Sequence, residues 1–293
     1  MSDPNNVIEL SDGEKALVVE RKATCPFIGA AVHQGHLPVR NDVNNPLASI
    51  EDVRRLGNTG GRRLGEVLAL FANGNHASMR GNSGSLDKPV PDGLFSLEFP
   101  GSQGSHPGHS GILQGDPEVL DSGRLSEVDF ARLTSRAKDG WIKRSDVGRF
   151  IAENVLRDPK SKVLDVETAT EFARDFLELM RAIALAAVGL FDSDDEATHR
   201  DIQQKFTKLT GEDNLVGSAG EFGLLFAFLA NKPGAKKVDG EPALAVEDLE
   251  TMFVDKRLPD GWETWEKTQI DWVRNTIRLL ESAREEYSRL NQT

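Results

Sequence analysis

The only cysteine of the chain, Cys25, lies in the stretch TCPFIGAAVHQGHLP, immediately before Pro26 and upstream of two histidines. A lone cysteine can be a small apolar core residue, a nucleophile, or a metal ligand. As a nucleophile it would need a lowered pKa, which His33 or His36 could provide. As a ligand, its thiolate could hold iron. The composition alone leaves all three possibilities open.

Two segments resemble EF-hand calcium loops in length and glycine position, EVLDSGRLSEVD over 118–129 and SRAKDGWIKRSD over 135–146. Their ligand positions include Leu120 and Ala137, and neither segment ends in the bidentate glutamate of a calcium loop. We therefore expect both segments to be helix-turn-helix connections.

Charge and hydropathy exclude several functional classes. The net charge is −12 and the sequence pI is about 5.1, with the basic residues scattered among acids, so nucleic acid and anionic membrane surfaces are poor partners. No apolar run approaches the roughly 18 residues of a transmembrane helix. The N-terminus lacks the pattern of a signal peptide. We expect a soluble chain, either intracellular or the mature form of a secreted protein.

The periodicity predicts an all-α, mostly helical fold, because apolar residues recur at helical spacing and no set of alternating strands is found. A stretch rich in Gly, Ser and Pro, from Gly74 to Asp116, predicts a long irregular loop. We divide the chain into a lead-in over 1–23, a domain over 24–263 and a C-terminal helix over 264–293. The predicted helices lie within 45–57, 57–75, 124–137, 140–158, 166–191, 197–211, 219–234, 245–262 and 265–290. Pro46 is expected near the start of the first of these helices, and Ser126 and Ser145 are expected to be the N-caps of the third and fourth.

Four motifs in order resemble the haem-thiolate peroxidase family, the chloroperoxidases and unspecific peroxygenases. Cys25-Pro26, Gly35-His36-Leu37-Pro38 and residues 41–50 resemble the opening of that family. The segment QGDPEVLDSGRLSEVDF resembles the family's acid-Gly-Asp motif and the Ser-Leu-Ser-Arg that follows it. AGEFGLLFAFLANKPG and FVDKRLPDGW then resemble its acid-bearing helix and its closing Arg-Leu-Pro segment. The resemblance spans most of residues 24–263.

The resemblance implies a single haem domain that uses hydrogen peroxide to oxidise or oxygenate small organic substrates. Cys25 would be the thiolate ligand of the iron of haem b, and Pro26 would shape the helix N-terminus whose amides face the sulfur. Glu221 would be the distal acid-base group that moves a proton between the two oxygens of the peroxide. Phe222 and the apolar residues after it would line the haem pocket, and His36 would pair with the backbone or a haem propionate.

Several positions differ from the family pattern. Gln114 replaces the glutamate that helps to bind magnesium, and an amide is a weaker ligand for this ion, so the resemblance implies magnesium less strongly than haem. The distal glutamate of the family is partnered either by an arginine, where this chain has Asn214, or by a histidine, where it has Gly115, and His106 or His109 could take over that role. Thr24 replaces a proline. These differences leave a non-catalytic haem- or ligand-binding relative as an alternative. A cysteine-based peroxidase, with Cys25 as the nucleophile and His33 or His36 lowering its pKa, is a further alternative.

Overall fold

The computed structural model describes residues 6–21, 23, 25–57, 94–97, 112, 124–157 and 214–291. The helices predicted within 57–75, 166–191 and 197–211 lie outside these residues, as do His106, His109 and Gln114. Within the described stretches, no helix combines the length and the apolar character needed to cross a membrane.

The described part of the chain is mostly helical, as predicted. Eight α-helices can be assigned there, and a short 3-10 turn at Trp262–Thr264 follows the seventh. They are α1 (Asp12–Arg21), α2 (Pro26–His33), α3 (Ile50–Gly57), α4 (Glu127–Thr134), α5 (Arg144–Arg157), α6 (Asn214–Leu229), α7 (Val246–Phe253) and α8 (Gln269–Leu290).

The described residues also include two small antiparallel sheets, so the stricter all-α prediction is not confirmed. The first sheet has the order β1 (Arg40–Asn41), β2 (Pro46–Ser49), β3 (Leu94–Ser96), and the second has the order β4 (Trp141–Lys143), β6 (Glu241–Ala245), β5 (Lys237–Val238). Each strand is five residues or fewer, too short to show the alternation by which strands are identified in a sequence.

The helix predicted over 45–57 begins later than expected. Pro46–Ser49 form β2, and only Ile50–Gly57 are helical. Proline is tolerated at the first residue of a strand, which is where Pro46 lies. The Ser49 hydroxyl accepts hydrogen bonds from the amides of Glu51 and Asp52 at 3.2 and 3.4 Å. Ser49 is therefore the N-cap of α3, whereas Pro46, which was expected near the start of this helix, lies in β2.

Two other helix starts were predicted from serines, and one is confirmed. Ser126 is the N-cap of α4, and its side chain accepts a hydrogen bond from the amide of Asp129. The prediction that Ser145 caps α5 is wrong, because α5 already begins at Arg144. The amide and hydroxyl of Ser145 instead donate to the carboxylate of Glu241, at 2.9 and 3.1 Å.

The segment over 135–146 is a turn followed by β4, rather than a direct turn between two helices. Asp139 and Gly140 have left-handed φ angles of 52° and 79°. The side chain of Lys143 donates to Asp239, which lies between β5 and β6, at 3.2 Å. The ion pair between Lys143 and Asp239 and the pairing of β4 with β6 thus join this turn to the hairpin formed by β5 and β6.

The C-terminal helix packs on the rest of the domain. α8 contacts α6 and α5 along its length. It begins at Gln269, with Thr268 as its N-cap, rather than at the predicted Trp265. A Cβ atom at Gly148 of α5 would lie 2.4 Å from the Ser282 hydroxyl oxygen, so the two helix backbones come close at this glycine. The described residues of α8 therefore pack against the helices that precede them in the chain.

Candidate functional site

Cys25 occupies the N-cap position of α2, and Pro26 is the first helical residue. Proline suits this position, because its ring fixes φ near the helical value and its missing N–H would have no partner there. The Cys25 carbonyl accepts a hydrogen bond from the amide of Gly29 at 2.7 Å, which closes the first turn. The thiol is thus placed at the positive end of the helix dipole.

The surroundings of the Cys25 sulfur act on its charge in opposite directions. Burial raises the pKa of the thiol from 9.0 to about 12, and the negative charge of Glu221 contributes to this rise. The amides of Ile28 and Phe27 lower the pKa through their interaction with the sulfur, although Cys25 makes no regular side-chain capping hydrogen bond. The free thiol therefore keeps its proton at neutral pH, and a bound metal ion is the kind of partner that would remove it.

Glu221 lies on α6 and is partly buried. Its effect on the pKa of Cys25 shows that the fold brings its carboxylate into the electrostatic surroundings of the sulfur, although the two residues lie far apart in the sequence. Glu221 is followed by Phe222 and Gly223, both buried. The structure therefore places the two chemically most important sequence candidates in one region.

Aromatic rings join the segments that carry Cys25 and Glu221 to a third segment. We call Phe27, Phe228, Trp262 and Trp265 the aromatic cluster. The ring of Phe27 lies 4.9 Å from that of Phe228 and 5.4 Å from that of Trp262, and Phe228 and Trp262 are 5.3 Å apart. Trp265 extends the cluster at 5.6 Å from Trp262. The rings thus hold α2, α6 and the segment that follows α7 together.

Two hydrogen bonds add to the packing at this junction of α2, α6 and the segment that follows α7, the first of them at the C-terminal end of α2. The side-chain oxygen of Gln34 accepts from the amide of Leu258 at 2.7 Å. The indole nitrogen of Trp262 donates to the carbonyl of Leu56 at 2.6 Å, which adds the end of α3 to the same junction. The segments around Cys25, Glu221 and RLPDGW therefore belong to one packed unit.

The remaining sequence candidates have different surroundings. Phe222 is completely buried and packs edge-on against Phe150 of α5, with ring centroids 6.0 Å apart. His33 and His36 are exposed, at the end of α2 and in the turn after it. The roles of Phe222, His36 and Pro26 in holding a cofactor stay predictions.

Lys267 was missed by the sequence analysis, since lysine is rarely buried. Its side chain is almost completely buried, with the ammonium group 4.4 and 4.3 Å from the ring centroids of Trp262 and Trp265. It donates to the backbone carbonyls of both residues. Burial lowers the pKa of Lys267 to about 8, and the carboxylate of Glu263 opposes this shift. We call these two indole rings, of Trp262 and Trp265, the cage of Lys267, and the nearby tryptophans of WETWEK are its only sequence signal.

Among the described residues, no three His, Cys, Asp or Glu side chains come together as a metal site. A centre built from several protein ligands is therefore not formed in this part of the chain. No protein-family model matches the chain, and no curated protein or solved structure is significantly similar to it. The chemistry of Cys25 and Glu221 is consequently the basis for assigning a function.

Proposed function

We propose that the chain is a haem-thiolate peroxidase or peroxygenase that uses hydrogen peroxide to oxidise or oxygenate small organic substrates, on a chloroperoxidase-like helical domain. The observation that supports this proposal most is the placement of Cys25 at the N-terminus of α2, with Glu221 in its electrostatic surroundings. The order of the motifs in the sequence gives independent support. Both point to one soft sulfur ligand and one carboxylate acid-base group.

The residues around Cys25 fit a haem iron better than they fit a free nucleophile. A haem iron would need only one cysteine sulfur from the protein, so the lack of a multi-residue metal cluster among the described residues is compatible with it. The amides of Ile28 and Phe27 favour the thiolate once it forms. Haem bound there would supply the redox chemistry of peroxide activation.

In this proposal each protein group has a defined task. Cys25 would hold the cofactor through its sulfur, and the amides of Phe27 and Ile28 would tune the electron density on that sulfur. The carboxylate of Glu221 would accept a proton from one oxygen of hydrogen peroxide and return it to the other, so that the second oxygen can leave as water when the O–O bond breaks, with haem supplying the electrons for this cleavage. Magnesium stays a weaker prediction, since Gln114 stands in place of a carboxylate.

The cysteine-based peroxidase is disfavoured by the same surroundings. A nucleophilic thiol needs a lowered pKa, whereas burial raises that of Cys25 to about 12. His33 is exposed at the far end of α2, roughly 12 Å along the helix axis from Cys25 by the usual rise per residue. It is therefore too distant to activate the sulfur directly.

Peroxide-dependent oxidation by the haem-loaded protein tests the proposal. Glu221→Gln keeps the shape of the side chain and removes its acid-base function, so we expect kcat to fall by about 100-fold or more with unchanged haem content. Glu250→Gln, at an exposed position of α7, is the matched control and should retain full turnover. Turnover in the wild type that does not depend on Glu221 would contradict the assigned acid-base role. A wild type that binds haem without turnover would support the non-catalytic alternative.

A further inference from the structure

The backbone next to Glu221 is held from the C-terminal helix. The indole nitrogen of Trp272, on α8, donates to the carbonyl of Gly220 at 3.1 Å. Trp272 is buried, with 4% of its surface exposed, so water does not compete for this hydrogen bond. The residue immediately before Glu221 is thus fixed from outside its own helix.

A second contact lies on the other side of Glu221. A Cβ atom at Gly223 would lie 2.2 Å from the hydroxyl oxygen and 3.0 Å from the amide nitrogen of Thr276, so α8 approaches α6 there as closely as only glycine permits. The Thr276 hydroxyl also donates to the carbonyl of Trp272 at 2.9 Å, which ties the two contacts together. Trp272 and Thr276 therefore hold the α6 backbone on both sides of Glu221.

We infer that Trp272 and Thr276 are positioning residues for Glu221. An acid-base group must be held within a fraction of an ångström of its productive position, and helices that are locked by packing provide this better than loops. α8 lies beyond the part of the chain that carries the family resemblance. The inference rests on the proposed function, because it assigns these residues a task in the peroxide reaction.

The same helix pair provides a matched control. The indole nitrogen of Trp265 donates to the carbonyl of Phe228 at 2.7 Å, so α6 accepts two buried indole hydrogen bonds. Phe228 lies about two helical turns beyond Glu221. Trp265→Phe and Trp272→Phe therefore each remove an indole hydrogen bond to α6. The bond lost in Trp272→Phe is next to Glu221, and the bond lost in Trp265→Phe is distant from it.

The first measurement is steady-state turnover of the haem-loaded variants. Trp272→Phe should lower kcat by about tenfold and leave KM for the organic substrate within about twofold, since the misplaced group acts in the chemical step. Trp265→Phe should leave both constants within about twofold. In the Glu221→Gln background, Trp272→Phe should cause no further loss, because residues that act as a unit are not additive. Equal losses in both tryptophan variants, or a full additional loss in the double variant, would overturn the inference.

The second measurement uses the protein without haem, and it decides the inference even if the proposed function fails. Amide hydrogen exchange over residues 219–224 should accelerate by about tenfold in Trp272→Phe and by less than about twofold in Trp265→Phe. If exchange changes in this way but the wild type binds no haem, the proposed function is refuted, while the conclusion that α8 fixes the backbone around Glu221 stands. Unchanged exchange in Trp272→Phe would refute the positioning role itself.

Discussion

Cys25 and Lys267 are both ionisable groups that burial pushes towards their neutral forms, yet they sit in opposite surroundings. Burial raises the pKa of Cys25 to about 12 and lowers that of Lys267 to about 8. The ammonium of Lys267 has two backbone carbonyls and two indole faces as partners. Near the sulfur lie amides that favour an anion, and a carboxylate that opposes it.

The two groups differ in whether the chain itself provides partners for the charged form. Although burial lowers its pKa to about 8, Lys267 keeps its proton at neutral pH. The ammonium is surrounded by two backbone carbonyls and two indole faces of the chain, so this residue needs no ligand. The anion of Cys25 becomes stable only when a cation binds, because the amides of Phe27 and Ile28 do not offset burial. A substitution at Lys267 should therefore affect stability, whereas under the proposed function one at Cys25 should affect haem binding.

The largest expected effect on stability comes from Lys267→Met. This variant keeps most of the apolar stem and leaves the buried carbonyls of Trp262 and Trp265 without their donor, so we expect a loss of about 2 to 3 kcal/mol in the free energy of unfolding. Urea unfolding measures this loss. Lys236→Met is the control, since Lys236 also lies over a tryptophan ring, at 5.4 Å, but is exposed. A loss of equal size in both variants would show that burial is not the cause.

The second effect is a dependence of stability on pH that belongs to Lys267. Between about pH 8 and its ordinary pKa of 10.5, this lysine has released its proton in the folded protein and still holds it in the unfolded chain. The unfolded state then binds more protons, so stability rises with pH. The free energy of unfolding of the wild type should rise by about 2 kcal/mol relative to Lys267→Met between about pH 8 and pH 10. A constant difference across this range would mean that the cage leaves the pKa of Lys267 unshifted.

The smallest effect is expected from Cys25→Ser in the protein without haem. Serine is a good N-cap and presents an oxygen to the same amides, so the free energy of unfolding should change by less than about 1 kcal/mol. Chemical unfolding beside Lys267→Met gives the comparison directly. If Cys25→Ser were the more destabilising of the two, Cys25 would be a core residue and the contrast between the two sites would be lost.

Part of the fold around the site was expected from the sequence. The family resemblance implied a helix N-terminus at Cys25-Pro26, and α2 begins at Pro26, although periodicity alone did not predict this helix. Ser126 predicted the start of α4 for a local reason, because its side chain accepts a backbone hydrogen bond from one turn ahead. Such signals are readable because their partners lie within a few residues.

The missed features depend on partners far along the chain. Trp272 donates to the carbonyl of Gly220, and the amide of Ser145, in the first turn of α5, donates to Glu241 on a strand distant in sequence. The burial of Lys267 could not be read from its residue type, because lysine is usually exposed and only the folded path of Trp262 and Trp265 encloses it. Pro46 was misread, because proline is tolerated both at the start of a helix and at the start of a strand.

The most direct test of the central claim is the absorption spectrum of the reduced, haem-loaded protein exposed to carbon monoxide, for the wild type and Cys25→Ala. Because a thiolate pushes electron density onto the iron, we predict a strongly red-shifted Soret band in the wild type. This band should be absent in Cys25→Ala, while Lys267→Met retains it. A red-shifted band that persists in Cys25→Ala, or a wild type that forms no haem complex, would contradict the assignment of Cys25 as the thiolate ligand.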